Sequence, residues 1–128
     1  MKYYFAVTRE MKFNDAVEKT IDELKKEGFG ILTDIDVRET LKKKLGTDFR
    51  KYRILGACNP PFAYRSLNVE DKIGLMLPCN LIVQEIEDGL VEIAAIDPTA
   101  AMQGIDNPEL AEIAVAVSEK LRAVVGRL

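Results

Sequence analysis

Polar and apolar side chains alternate in "KYYFAVT", where Tyr3, Phe5 and Val7 fall on one face. That period of two predicts a first, half-buried strand. The period then lengthens. Phe13, Val17, Ile21 and Leu24 recur at helical spacing with Ala16 and Thr20 beside them. Lys25 and Lys26 suit the negative end of the helix dipole, and Gly28 supplies the stop. "FGILTDI" predicts a second strand. Asp36 is placed to cap a short helix, with Glu39 at capping-box spacing, Leu41 and Leu45 on its inner side and Gly46 as its exit.

"KYRILGAC" predicts a third strand, and Asn59 followed by Pro60 suits an N-cap and first helical position for a short helix over "PFAYRSLN". The long apolar run "IGLMLPCNLIVQEI" reads as a strand interrupted at Pro78, which cannot donate a ladder hydrogen bond and so marks a bulge, bend or edge. Glu87 to Gly89 is a hairpin turn signal, and "LVEIAAID" is the return strand. After the loop "PTAAMQGID", Asn107 and Pro108 open a last helix whose buried stripe is Leu110, Ile113, Ala114, Val117, Leu121 and Val124. The order β-α-β-α-β-α-β-β-α predicts an α+β two-layer sandwich: a five-stranded, mostly antiparallel sheet with helices on one face.

Composition narrows the class. The 128 residues, 48% hydrophobic and 30% charged, suit one globular domain over 1–128, with no repeat or linker dividing it. No apolar run approaches the roughly 20 residues that span a bilayer, so no membrane partner is expected. The start lacks the pattern of a signal peptide, and two cysteines are too few for a disulfide scaffold, so the expected location is cytoplasmic. A net charge of −3 gives no global attraction to nucleic acid. "RETLKKKLGTDFRKYR" is strongly basic, yet no aromatic platform or Gly-rich loop accompanies it, so it reads as a solvated face.

Four segments together, "GFGILTDIDVRETLKKKLG", "YRILGACNPPFAYRSL", "IGLMLPCNLIVQE" and "IDPTAAM", resemble the successive signatures of the DUF302 family, a domain of unknown function. The resemblance spans nearly the whole chain. It implies a curved five-stranded sheet packed by helices, similar to the fold of the TATA-binding protein, and a homodimer. It implies no reaction and leaves any cofactor unknown, and a fold shared with a DNA-binding protein is not evidence of DNA binding.

The candidate chemistry gathers at two proline-marked corners. Cys58 precedes Asn59-Pro60, and Cys79 follows Pro78. If the third and fourth strands are neighbours, both thiols face one pocket, and loops at strand ends are where sites are built. The residues expected to bind a ligand are Asp36, Cys58, Asn59, Pro60, Pro78 and Cys79, with Asp36 as a polar anchor beside the Cys58 corner. The bland alternatives are small buried thiols, a capping Asp36 and Asn59, and a turn-starting Asp97. The chain has no histidine, which removes Cys-His and Ser-His-Asp catalysis. A zinc site would need four ligands from two thiolates and carboxylates such as Asp36 or Asp97, and no metal is expected. Three functions remain: a ligand-binding or sensing module, an enzyme with Cys58 as a nucleophile activated by the helix that follows it, or a purely structural dimer module. For the dimer there is one independent reason. Leu75, Leu77, Cys79, Leu81 and Val83 alternate with Met76, Ile82 and Ile86, so one apolar row needs a cover that a single helical layer does not give.

Overall fold

A computed structural model of the chain describes residues 2–128. Its strands are β1 (Tyr4–Glu10), β2 (Gly30–Asp36), β3 (Tyr52–Cys58), β4 (Cys79–Glu87) and β5 (Leu90–Ile96). Its helices are α1 (Phe13–Lys26), α2 (Val37–Leu45), α3 (Pro60–Val69), α4 (Pro98–Ala101) and α5 (Pro108–Gly126). The strands form one open sheet in the order β1-β5-β4-β3-β2, with every neighbouring pair antiparallel. The α+β sheet-and-helix architecture read from the periodicities is therefore the observed one.

Because β1 and β2 lie at opposite edges, α1 must carry the chain across the sheet. Its 14 residues make a rod of about 21 Å, which matches the ~19 Å spanned by four inter-strand gaps. The helix is amphipathic at the expected positions, burying Phe13, Ala16, Val17, Thr20 and Leu24. The 19-residue α5 lies beside it and buries the whole predicted stripe, with Leu121 and Val124 fully enclosed. Alternation in the central strands sends Leu55, Ala57, Leu81, Val83, Val91, Ile93 and Ala95 under these two helices. The opposite rows, including Ile54, Ile82, Gln84, Glu92 and Ala94, carry no helix and are half-buried.

Side-chain caps close three helices, at Asp36 and Asn107 as the sequence predicts and at Asp97 in addition. The Asp36 carboxylate accepts from the Glu39 amide at 3.0 Å, Asn107 accepts from Leu110 N–H at 3.1 Å, and Asp97 accepts from Thr99 N–H at 3.1 Å. Gly46 closes α2 in the left-handed conformation at φ 65°, where a side chain would be strained.

Three details differ from the sequence reading. The first is α2, which has no buried residue; Leu45 is 70% exposed instead of facing inward. Next, Ile73–Met76 is a 3-10 turn and not the start of a strand, which leaves Leu75 in solvent. Pro78 lies between this turn and β4, outside the ladder as a residue without an amide donor must be, so it bounds a strand and does not interrupt one: the ladder starts only at Cys79. Last, Pro98–Ala101 is a single helical turn where a plain loop was expected.

Candidate functional site

The site begins with the register. Because β2, β3 and β4 are antiparallel, the last residues of β3 face the first residues of both neighbours: Cys58 opposes Gly30, and Ala57 opposes Cys79. The two thiols are therefore diagonal neighbours at one end of the sheet, both half-buried and unpaired. A bulge in β2 between Ile31 and Thr33 turns Leu32 toward the same end.

Around this corner lies a cavity of about 320 Å³. The sheet contributes Ala57, Cys58 and Cys79, with Phe29 and Leu32 from the β2 side. Helix α3 contributes Phe62, Ala63 and Leu67, and α5 contributes Ile113, Ala114 and Val117. Asn59, Gly74, Leu77, Pro78, Pro98 and Met102 complete the lining. No lining residue is charged.

Local contacts hold these walls apart. Asn59, at the N-cap position of α3, makes no cap hydrogen bond; its Nδ2 donates instead to the Glu27 carbonyl at 3.0 Å, tying the β3 corner to the α1–β2 turn. Gly28 in that turn has φ +87°, and a Cβ there would approach Asn59 Nδ2 to 3.3 Å. Asn107 Nδ2 donates to the Val69 carbonyl at 2.8 Å, which fixes the end of α3 to the start of α5. Asp97 Oδ1 accepts from Thr99 Oγ1 at 2.7 Å and from Ser118 Oγ at 2.9 Å, binding α4 and its Pro98 to α5. Burial pushes the Asp97 carboxyl up, but these hydrogen bonds from Thr99 and Ser118 outweigh it and hold the group below the usual carboxylate range.

Cys79 behaves in the opposite way. Burial, with a smaller contribution from the nearby Cys58, pushes its thiol up to about 11. It is a neutral, soft, weakly polar group at physiological pH. Among the described residues no three His, Cys, Asp or Glu side chains cluster as metal ligands would.

The model of the family "Domain of unknown function DUF302" matches residues 5–128. The chain belongs to the DUF302 family. A crystal structure described as an uncharacterized conserved protein DUF302 from Bacillus stearothermophilus is 35% identical, covers 99% of this chain with 98% of its own, and superposes with a TM-score of 0.90. No curated protein sequence matches.

Within this DUF302 fold, four of the six residues expected to bind a ligand come together: Cys58, Asn59, Pro78 and Cys79 all line the cavity. Pro60 starts α3 in an exposed position outside the lining. Asp36 is not beside the Cys58 corner. It opposes Arg53 at the other end of β2, six positions from Gly30 and so about 20 Å away along the strand, and it serves there as the α2 cap. Met102, just after α4, also lines the cavity, where its flexible thioether is an adaptable apolar contact. What sequence reasoning missed is the rest of the apolar wall, chiefly Phe29, Phe62, Ala63 and Ala114. The α5 members were legible only as a core stripe. The basic run on α2 is solvent-exposed, with Lys43 paired to Glu39 at 2.7 Å and Lys42 to Asp48 at 3.0 Å.

Proposed function

We propose that this DUF302 domain is a small-molecule binding module whose site is the cavity around Cys58, Asn59, Pro78 and Cys79. The observation that carries the reading is the convergence of five separate segments on one concavity of about 320 Å³, the low end of the range in which proteins hold small ligands. It sits at strand ends, where scaffolds present their sites. The thiol-enzyme alternative draws less support. Catalysis at a cysteine needs a thiolate and a group that sustains it; the chain has no histidine, and the lining offers no cation. Two unpaired cysteines also favour a reducing, cytoplasmic setting for the chain.

The proposed assembly is a homodimer. Support comes from the sheet face without helices, where Ile82 is half-buried and Ile35 and Ile86 are 46% and 51% exposed. A second copy on a two-fold axis covers such a face symmetrically. Sedimentation equilibrium at micromolar concentration tests it, and a single species at 14.3 kDa defeats it.

The binding reading is tested by NMR, with 15N-labelled protein titrated by a panel of small molecules spanning anions, cations, polar neutral compounds and apolar ones. Saturable shifts at the amides of Ala57, Cys58, Asn59 and Cys79 are the expected result. A panel that moves none of these amides refutes the reading.

A further inference from the structure

We propose that the ligand of this cavity is an uncharged, hydrocarbon-rich small molecule, an inference that rests on the binding reading above. The cavity of about 320 Å³ lies at the low end of the range in which proteins hold small ligands.

The charge follows from what the cavity does and does not offer. An ion transferred out of water needs a counter-charge or several hydrogen bonds. The lining contains neither a carboxylate nor a cationic side chain. Its one side-chain amide, on Asn59, has one N–H committed to the Glu27 carbonyl at 3.0 Å, which leaves one N–H and the Oδ1 acceptor, enough for a single polar group but not for an ion. Among the described residues no fully buried side-chain nitrogen or oxygen lacks a partner. The Ser66 hydroxyl of α3 already donates to the Phe62 carbonyl at 2.8 Å.

Phosphates, carboxylates, amino acids, sugars and nucleotides all need contacts this lining lacks. Aromatic and aliphatic surface is what it supplies, from Phe29, Phe62, Leu67 and Met102. The thiols of Cys58 and Cys79 add only soft, weakly hydrogen-bonding contacts. They suit one hydroxyl or carbonyl on an otherwise apolar molecule. A peptide or helix from another protein is the wrong scale, since the cavity is bounded by β2, β3, β4, α3, α4 and α5 and has room for little more than one large side chain.

The test is a matched series that varies charge at constant shape: 2-phenylethanol, phenylacetate and phenethylammonium, titrated by NMR at pH 7.5 into the full chain. The expected result is saturable shifts at the amides of Ala57, Cys79 and Ile113 with 2-phenylethanol, at an affinity at least about tenfold above either charged analogue. Binding of phenylacetate or phenethylammonium at these amides as tight as that of the alcohol overturns the inference while leaving the binding reading intact. Silence of these amides toward all three, and toward every member of the wider panel, defeats the binding reading itself. Ala63→Phe, which projects a ring into the cavity from a half-buried position, is expected to abolish the 2-phenylethanol shifts with an unchanged circular dichroism spectrum. Shifts of undiminished affinity in that variant overturn the inference, because the molecule would then lie elsewhere. If Ala63→Phe does not fold, Met102→Phe at the rim carries the same two outcomes.

Discussion

Replacing Gly56 with alanine tests the crossing on which the site is built. A Cβ at this buried position would lie 2.1 Å from Thr33 Oγ1 and 2.7 Å from Pro78 Cγ. The proline ring has no rotamer into which to retreat, so β3 or the Pro78 segment must shift, and inserting a methyl group against such neighbours costs about 1–3 kcal/mol. Alanine also brings a gain. It restricts the unfolded chain relative to glycine, which stabilises by about 0.4–1 kcal/mol where the backbone accepts it. The net expectation for Gly56→Ala is a loss of about 1–2 kcal/mol, seen in urea unfolding as a lower midpoint at unchanged slope. Gly30→Ala is the internal control. It sits on β2 opposite Cys58 with nothing within 4 Å of its would-be Cβ, so it keeps the gain without the clash and should be neutral to slightly stabilising. Thr33→Ala removes the nearer of the two obstacles, and the double variant should recover at least about 0.5 kcal/mol of the Gly56→Ala loss as a coupling energy. A Gly56→Ala protein as stable as the Gly30→Ala protein would refute the tight apposition of β2, β3 and Pro78.

Truncation of the α5 stripe should follow burial: Leu121→Ala, fully enclosed, loses about 2–4 kcal/mol and Val117→Ala, at the cavity wall, about 1–3 kcal/mol, while near-zero changes in thermal unfolding would mean that the helix presents another face. In a Cys58→Ser background, alkylation of Cys79 by iodoacetamide should be slow at pH 8 and rise through pH 9 toward its ionisation at about 11; a rate that levels off below pH 9 contradicts the buried, neutral thiol. Because the folded value of Cys79 lies above its ordinary 9.0, ionisation opposes folding, and stability should decline as pH rises from about 9 through 11. Glu23 has its carboxyl held low, first by the hydrogen bond from Lys26 and then by that from Arg127. Its stabilising share is therefore present above the ordinary 4.5 and lost as pH falls through the lower folded value. The stability difference between the parent and Glu23→Gln should accordingly shrink in acid; a difference that stays constant down to pH 2 in thermal melts would refute it.

The fold was legible where two signals agreed. The α5 helix has both a stripe of period 3.6 and an Asn-Pro start, and every stripe residue is buried. The Glu87 to Gly89 turn separates two β-rich runs, and β4 and β5 pair across it. The errors arose where one signal stood alone. "IGLML" is apolar without a resolvable period, so strand and 3-10 turn are equally consistent with it; only the tertiary structure puts Leu75 in solvent, at 87% exposure. The one-turn α4 carries a capping Asp97 and a first-turn Pro98, yet four residues are too few for periodicity to register. Asp36 was misplaced for a different reason. In an antiparallel pair the first residue of one strand meets the last of the other, so a Cys58 at the end of β3 must face Gly30, and the far end of β2 belongs to Arg53. That inference was open as soon as the sheet was read as antiparallel.

The cavity itself was only half legible, and the reason is physical. Cys58 and Cys79 drew attention because thiols beside prolines are unusual, and neighbouring strands brought them together. The space between the walls depends on side chains that are small. Ala57, Ala63, Gly74 and Ala114 all line it, and each is an ordinary choice for a strand, a helix or a turn considered alone. Larger apolar side chains at these positions would give a close-packed interior in its place. Alanine in a helix stripe reads as core because it packs against something in almost every fold; whether that something is a neighbour or open space depends on elements distant in sequence, here α3, α5 and the β3–β4 corner. A site made of charged or metal-ligating residues announces itself by composition. One made of hydrocarbon is visible only once the chain has folded, so its ligand is expected to share that character.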